Sequence, residues 1–131
     1  MSHLIAESRV FQISRLGTAV EISFRGTHEW THGSEMHRYV ERMISENRPA
    51  AIVFNLLDYR YEFGNDVTAL FTAAYDREAK KIRPVYIAAT GTTYTSLCNL
   101  FKTSKIQQAF GTEFVESVED ALQRLAGREA V

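Results

Sequence analysis

The sequence predicts an α/β fold built on one mixed sheet, and three observations predict it. Val20, Ile22 and Phe24 alternate with Glu21, Ser23 and Arg25, the period-two pattern of a half-buried strand. Residues 51–57 and 85–89 are short unbroken apolar runs, as expected of strands covered on both faces. Around them, apolar residues recur at spacings of three and four, the mark of amphipathic helices. An opening hairpin followed by alternating helices and strands gives the order β-β-α-β-α-β-α-β-α. That is about five strands and four helices, with right-handed crossovers between parallel strands.

Each element has its own signal. Val10, Phe11 and Ile13 suggest a first strand, and Gly17 offers the turn into the second, so residues 8–25 read as a hairpin ending at Gly26. Ser34 can cap a helix whose face carries Met36, Tyr39, Val40, Met43 and Ile44, and Arg48-Pro49 stops it. The apolar run from Ala51 follows. Residues 58–64 are a connection, after which Gly64 or Asn65 can cap a helix reaching about Lys81, with Val67, Leu70, Phe71 and Ala74 inside. Arg83-Pro84 closes that helix and the run from Val85 is the next strand. Thr92 or Thr93 can cap a short helix carrying Leu97, Leu100 and Phe101. Ile106 and Phe110 lead to a short strand at Phe114 and Val115. Ser117 and Asp120 then sit three apart, as in a capping box, and open a last helix with Val118, Ala121, Leu122 and Leu125 inside.

Composition narrows the function. With 131 residues the chain matches the prior for one domain, here taken as residues 1–131 with a core at about 9–126. Hydrophobic residues at 45% and charged residues at 24% argue against disorder. Fifteen basic against sixteen acidic residues leave no global positive field to hold nucleic acid or an anionic membrane. One cysteine excludes an internal disulfide framework and fits a reducing compartment. The opening residues are not a secretory signal, and nowhere do eighteen apolar residues run together. The expectation is a cytoplasmic protein that binds no nucleic acid and does not insert into a membrane.

A search for reactive chemistry finds little. His28 and His32 would share a face only if residues 26–33 were helical, which Gly33 and the threonines oppose; with His37 they read as loop and helix-surface histidines. No metal site is expected. Cys98, beside Leu97, reads as a small core hydrophobe. There is no Gly-x-Ser-x-Gly elbow, and Gly91-Thr92-Thr93 reads as a plain strand-to-helix turn. No enzymatic activity and no cofactor are expected, since no nucleophile and base can be placed together. Tyr59, Tyr61 and Phe63 are more informative. They follow the central strand at its carboxyl end, where α/β domains place their sites. They are read either as exposed anchors or as the continuation of a buried strand edge.

At this loop the sequence resembles the STAS domain, the module of anti-sigma factor antagonists and of sulfate-transporter C-termini. Ile52-Val53-Phe54-Asn55-Leu56 is similar to the family's strand ending in Asp-Leu or Asn-Leu. Val67, Ala69, Leu70 and Phe71 match the helix that follows. Gly26 and Glu29 resemble its Gly-Glu-Leu-Asp element, and Glu119-Asp120-Ala121-Leu122 its Glu-Glu-Ala-Leu. The departure is central: Phe63-Gly64-Asn65-Asp66 stands where the family has Asp-Ser-Ser-Gly. Asn65 occupies the place of the serine that a partner kinase phosphorylates, and an amide has no hydroxyl to accept a phosphoryl group.

The resemblance implies a non-catalytic regulatory module that binds a protein, in antagonists a kinase-type anti-sigma factor. The implied docking surface is Tyr59, Tyr61, Phe63, Gly64, Asn65 and Asp66, with Thr68 and Thr72 on the following helix. Aromatics protruding there would be its anchors. Phosphorylation at a helix N-terminus adds about −1.5 to −2 charge beside the positive end of the dipole. Asp66 carries a permanent charge in that turn, so the loop is expected to be locked in one signalling state. Thr68 is the nearest alternative hydroxyl. Two other readings stay open: a small-ligand or lipid-binding module, and an accessory subunit of a transporter or signalling scaffold. The oligomeric state, a homodimer included, is not fixed by the sequence.

Overall fold

A computed structural model describes residues 4–13, 17–29, 31–61, 84–104 and 112–129. Six strands and three helices lie in these segments. The strands are β1 (Ile5–Ile13), β2 (Gly17–Thr27), β3 (Ala51–Asn55), β4 (Tyr59–Arg60), β5 (Val85–Ala88) and β6 (Thr112–Val115). The helices are α1 (His32–Asn47), α2 (Gly91–Ser104) and α3 (Val118–Glu129). The helix expected over about 65–81, and the apolar pair Ile106 and Phe110, lie outside the described residues.

The sheet is mixed, as the element order requires, and runs β1-β2-β3-β5-β6. β1 and β2 are antiparallel, with Arg9 opposite Glu21 and Val10 opposite Val20. Every other pairing is parallel: Ile22 lies opposite Phe54, Phe54 opposite Ile87, and Ile87 opposite Phe114. Both hairpin strands are longer than residues 8–25 allow, because β1 begins at Ile5 and β2 continues through Gly26 to Thr27.

Side-chain alternation in these strands feeds two apolar layers. On one face Val20, Ile22, Phe24, Ile52, Phe54, Val85 and Ile87 pack with Met36, Val40 and Met43 of α1 and Leu97, Leu100 and Phe101 of α2. On the other, Ala19, Ala51, Val53, Tyr86 and Ala88 pack with Val118, Ala121 and Leu125 of α3. β3 and β5 are buried on both faces, which is why their sequences are unbroken apolar runs.

The helix ends show where local chemistry decides and where it does not. Ser117 Oγ accepts a hydrogen bond from the Asp120 backbone N–H at 3.1 Å, the first half of the expected capping box. α1 starts two residues before Ser34. Thr31 stands at its N-cap without a side-chain cap bond, and His32 and Gly33 are drawn into the helix and buried. α1 ends at Arg48, whose left-handed backbone (φ 44°) lets its N–H reach the Ile44 carbonyl at 2.8 Å. Pro49 then forbids continuation.

β4 is the element the sequence reading lacks. Residues 58–64 read as a connection, yet Tyr59 and Arg60 pair in parallel with Gly26 and Thr27. Two residues are too short to carry any periodicity. Gly26 makes the pairing possible: at φ 128°, a value side chains rarely tolerate, it bends the end of β2 beyond its last pairing with β3 at Ser23 and Asn55.

Candidate partner-binding site

The carboxyl ends of β3 and β5 lie side by side, and the segment leaving β3 runs into β4 against the end of β2; the expected site residues that the structure describes are found there. Tyr59 and Tyr61 are not exposed anchors. Their relative exposures are 2% and 3%, and both belong to the layer under α1 and α2. The reason is β4: pairing Tyr59 with Gly26 turns its side chain into the core. Arg60 between them faces out, as alternation demands. Phe63, Gly64, Asn65, Asp66, Thr68 and Thr72 lie outside the described residues.

What holds the two tyrosines was not legible in the sequence. Thr93, 6% exposed in the first turn of α2, donates its hydroxyl to the Tyr59 carbonyl at 2.7 Å and accepts the Tyr61 N–H at 3.1 Å. The Gly91-Thr92-Thr93 turn is therefore a brace for the strand beside it. Gly91, at φ 60°, opens the helix.

The histidine reading is also corrected. His32 is 3% exposed, and its ring centroid lies 6.0 Å from that of His28. The Tyr59 hydroxyl sits between them, 2.6 Å from His28 Nδ1 and 3.2 Å from His32 Nδ1. The Glu29 backbone N–H also donates to His32 Nδ1 at 3.2 Å, so that nitrogen accepts. One proton assignment satisfies these contacts: His28 Nδ1–H donates to the Tyr59 oxygen, and the Tyr59 O–H donates to His32 Nδ1. The proton on His32 Nε2 then faces the Glu29 carboxylate at 3.7 Å. Tyr61 adds an edge-on contact to His28 at 5.2 Å. His28 and His32 come together because α1 begins at His32, where the sequence reading left a loop. Among the described residues no three His, Cys, Asp or Glu side chains are grouped so as to hold a metal ion.

A second polar cluster lies on the opposite face of the sheet. Glu21 reads as a solvent-facing strand residue but is 2% exposed. Its carboxylate accepts from Arg9 Nη2 at 2.6 Å, Ser23 Oγ at 2.9 Å and Asn55 Nδ2 at 3.2 Å. A carboxylate with fewer partners would be expensive to bury there. Asn55 also accepts the Leu57 N–H at 3.2 Å, so this residue ties the end of β3 both to β2 and to the turn that follows.

Cys98 is half-buried on α2, one turn after Tyr94. Its hydrogen bond with Tyr94 holds that phenol above the ordinary tyrosine range. A cleft of about 580 Å³ opens at the strand ends, between Asp58 and Arg60 on one side and Thr90 and Thr92 on the other.

This geometry is a STAS-type fold: a mixed sheet with an antiparallel edge hairpin, layered by helices. The crystal structure of an anti-sigma factor antagonist from Mycobacterium paratuberculosis is similar to it, with a TM-score of 0.67 over 94% of each chain and 11% sequence identity. At that identity the likeness establishes the fold. No family model and no curated protein matches the sequence. Among the described residues no helix is long and apolar enough to cross a membrane.

Proposed function

We propose that the protein is a non-catalytic regulatory module that binds another protein, acting as an anti-sigma factor antagonist does. The observation that carries the reading is the retention of an antagonist's fold over 94% of both chains despite 11% identity. The partner is a kinase-type anti-sigma factor in the cytoplasm, and its capture frees a sigma factor. The docking surface is the segment from Phe63 to Asp66 with Thr68 and Thr72. Tyr59 and Tyr61, just before that segment in the sequence, are buried and take no direct part in the contact. Asn65 and Asp66 hold that surface permanently in one state, because the amide cannot be phosphorylated.

Incubation with a kinase-type anti-sigma factor encoded in the same genome tests this. The parent chain forms a complex and gains no phosphate by intact mass. Asn65→Ser becomes phosphorylated at that residue and dissociates. A phosphate mapped to residues 63–68 of the parent chain removes the lock, and failure to bind any such kinase removes the antagonist reading.

The cleft between Arg60 and Thr92 supports a second reading, a small-ligand module. A co-purified small molecule in a native mass spectrum would favour it.

A further inference from the structure

β1 is an edge strand. Over Ile5–Ile13 it pairs with β2 on one side, and with no other described strand. Nine residues make a long edge, and unpaired N–H and C=O groups in such a row recruit another strand unless they are covered. Two of the four large apolar side chains exposed among the described residues stand on it: Ile5 at 49% and Val10 at 52%. Its two charged residues, Glu7 and Arg9, flank Ser8.

We propose that this edge pairs with the same strand of a second copy, antiparallel, about a two-fold axis at Ser8. Such an axis, normal to the sheet, keeps each side chain on its own face, so it passes through a residue and not between two. Placed at Ser8, it sets Glu7 opposite Arg9 of the second copy and Arg9 opposite Glu7 of the second copy. Ile5 then meets Phe11, and Val10 meets Ala6, so both exposed apolar side chains gain apolar neighbours. Placed at Glu7 or Arg9, it sets identical charges face to face, which is destabilising in directly opposed pairs. Placed at Val10, it keeps a ladder of equal length but sets Arg9 opposite Phe11 and Glu7 opposite Ile13, so neither charge meets its opposite and Ile5 is left outside. Placed further out still, it shortens the ladder. Within one chain Glu7 already pairs with Arg25 at 2.5 Å, and Arg9 with Glu21 at 2.6 Å. Across the edge these pairs join into an alternating row: Arg25 and Glu7, then Arg9 and Glu21 of the second copy. The proposal does not depend on the regulatory reading above.

Sedimentation equilibrium of the full chain over a concentration series, with three variants, decides it. The parent chain shows a reversible monomer–dimer equilibrium, and Glu7→Arg weakens it about tenfold by setting like charges opposite each other twice per dimer. Ser8→Cys forms a disulfide-linked dimer under mild oxidation, reading the register independently of the charge reversal. Gln12→Cys, whose two copies would lie about 26 Å apart, crosslinks no faster than the parent chain with its Cys98. A chain that stays monomeric to its solubility limit overturns the proposal. So does a dimer indifferent to Glu7→Arg, faster crosslinking at Gln12→Cys, or an edge occupied by a strand of a different protein.

Discussion

The hydroxyl of Tyr59 lies 2.6 Å from Nδ1 of His28, tying β4 to the segment that leaves β2 across 31 residues of sequence. His32, in the first turn of α1, shares the same hydroxyl at 3.2 Å. Three elements thus meet on one buried oxygen.

Tyr59→Phe keeps the ring and removes that oxygen. His28 Nδ1 then loses that partner in a part-buried place while His32 Nδ1 keeps the Glu29 N–H, at a cost of about 1–3 kcal/mol. The expected result is a melting temperature lower by several degrees with unchanged secondary structure. A double-mutant cycle with His28→Ala should show positive coupling between the two sites. An unchanged melting temperature would mean that the hydroxyl is not the joint described.

Tyr61 and Arg60 separate core from surface at adjacent positions. Tyr61→Ala empties a buried site and is expected to cost about 3–5 kcal/mol, a loss visible in urea as a lower midpoint at similar slope. Arg60→Ala, exposed at the end of β4 just before Tyr61, should stay within about 0.5 kcal/mol of the parent chain. Near-equal effects of the two would return Tyr61 to the surface and revive its role as a direct anchor.

Glu21 is a buried acceptor of three donors. Glu21→Ala strands the Asn55 amide and the Ser23 hydroxyl and should cost about 2–3 kcal/mol in chemical denaturation. Arg9→Ala should cost less, under about 1 kcal/mol, because 67% of the Arg9 side chain is exposed and its charge is screened by water. Equal losses would show that the ion pair, and not the burial of the carboxylate, governs this cluster.

Periodicity carried most of the fold. The stripe Met36, Val40 and Met43, the runs that became β3 and β5, the Arg48-Pro49 stop and the Ser117 cap are each local signals, and each stands where its residues place it. The candidate site was less legible. Its central motif, from Phe63 to Asp66, rests on resemblance, while Tyr59 opens a two-residue strand with no pattern of its own and Tyr61 directly follows it.

What the sequence determined alone was the order and kind of the long elements that the structure describes, because hydrophobic burial acts on repeating patterns that can be counted along the chain. Tertiary structure decided which polar groups are buried. The depth of Glu21, the meeting of His28 with His32 on Tyr59, and the bracing of Tyr59 and Tyr61 by Thr93 each join residues from separate elements. A polar side chain goes inside only where distant donors and acceptors converge to replace water, and that convergence exists only once the chain has folded.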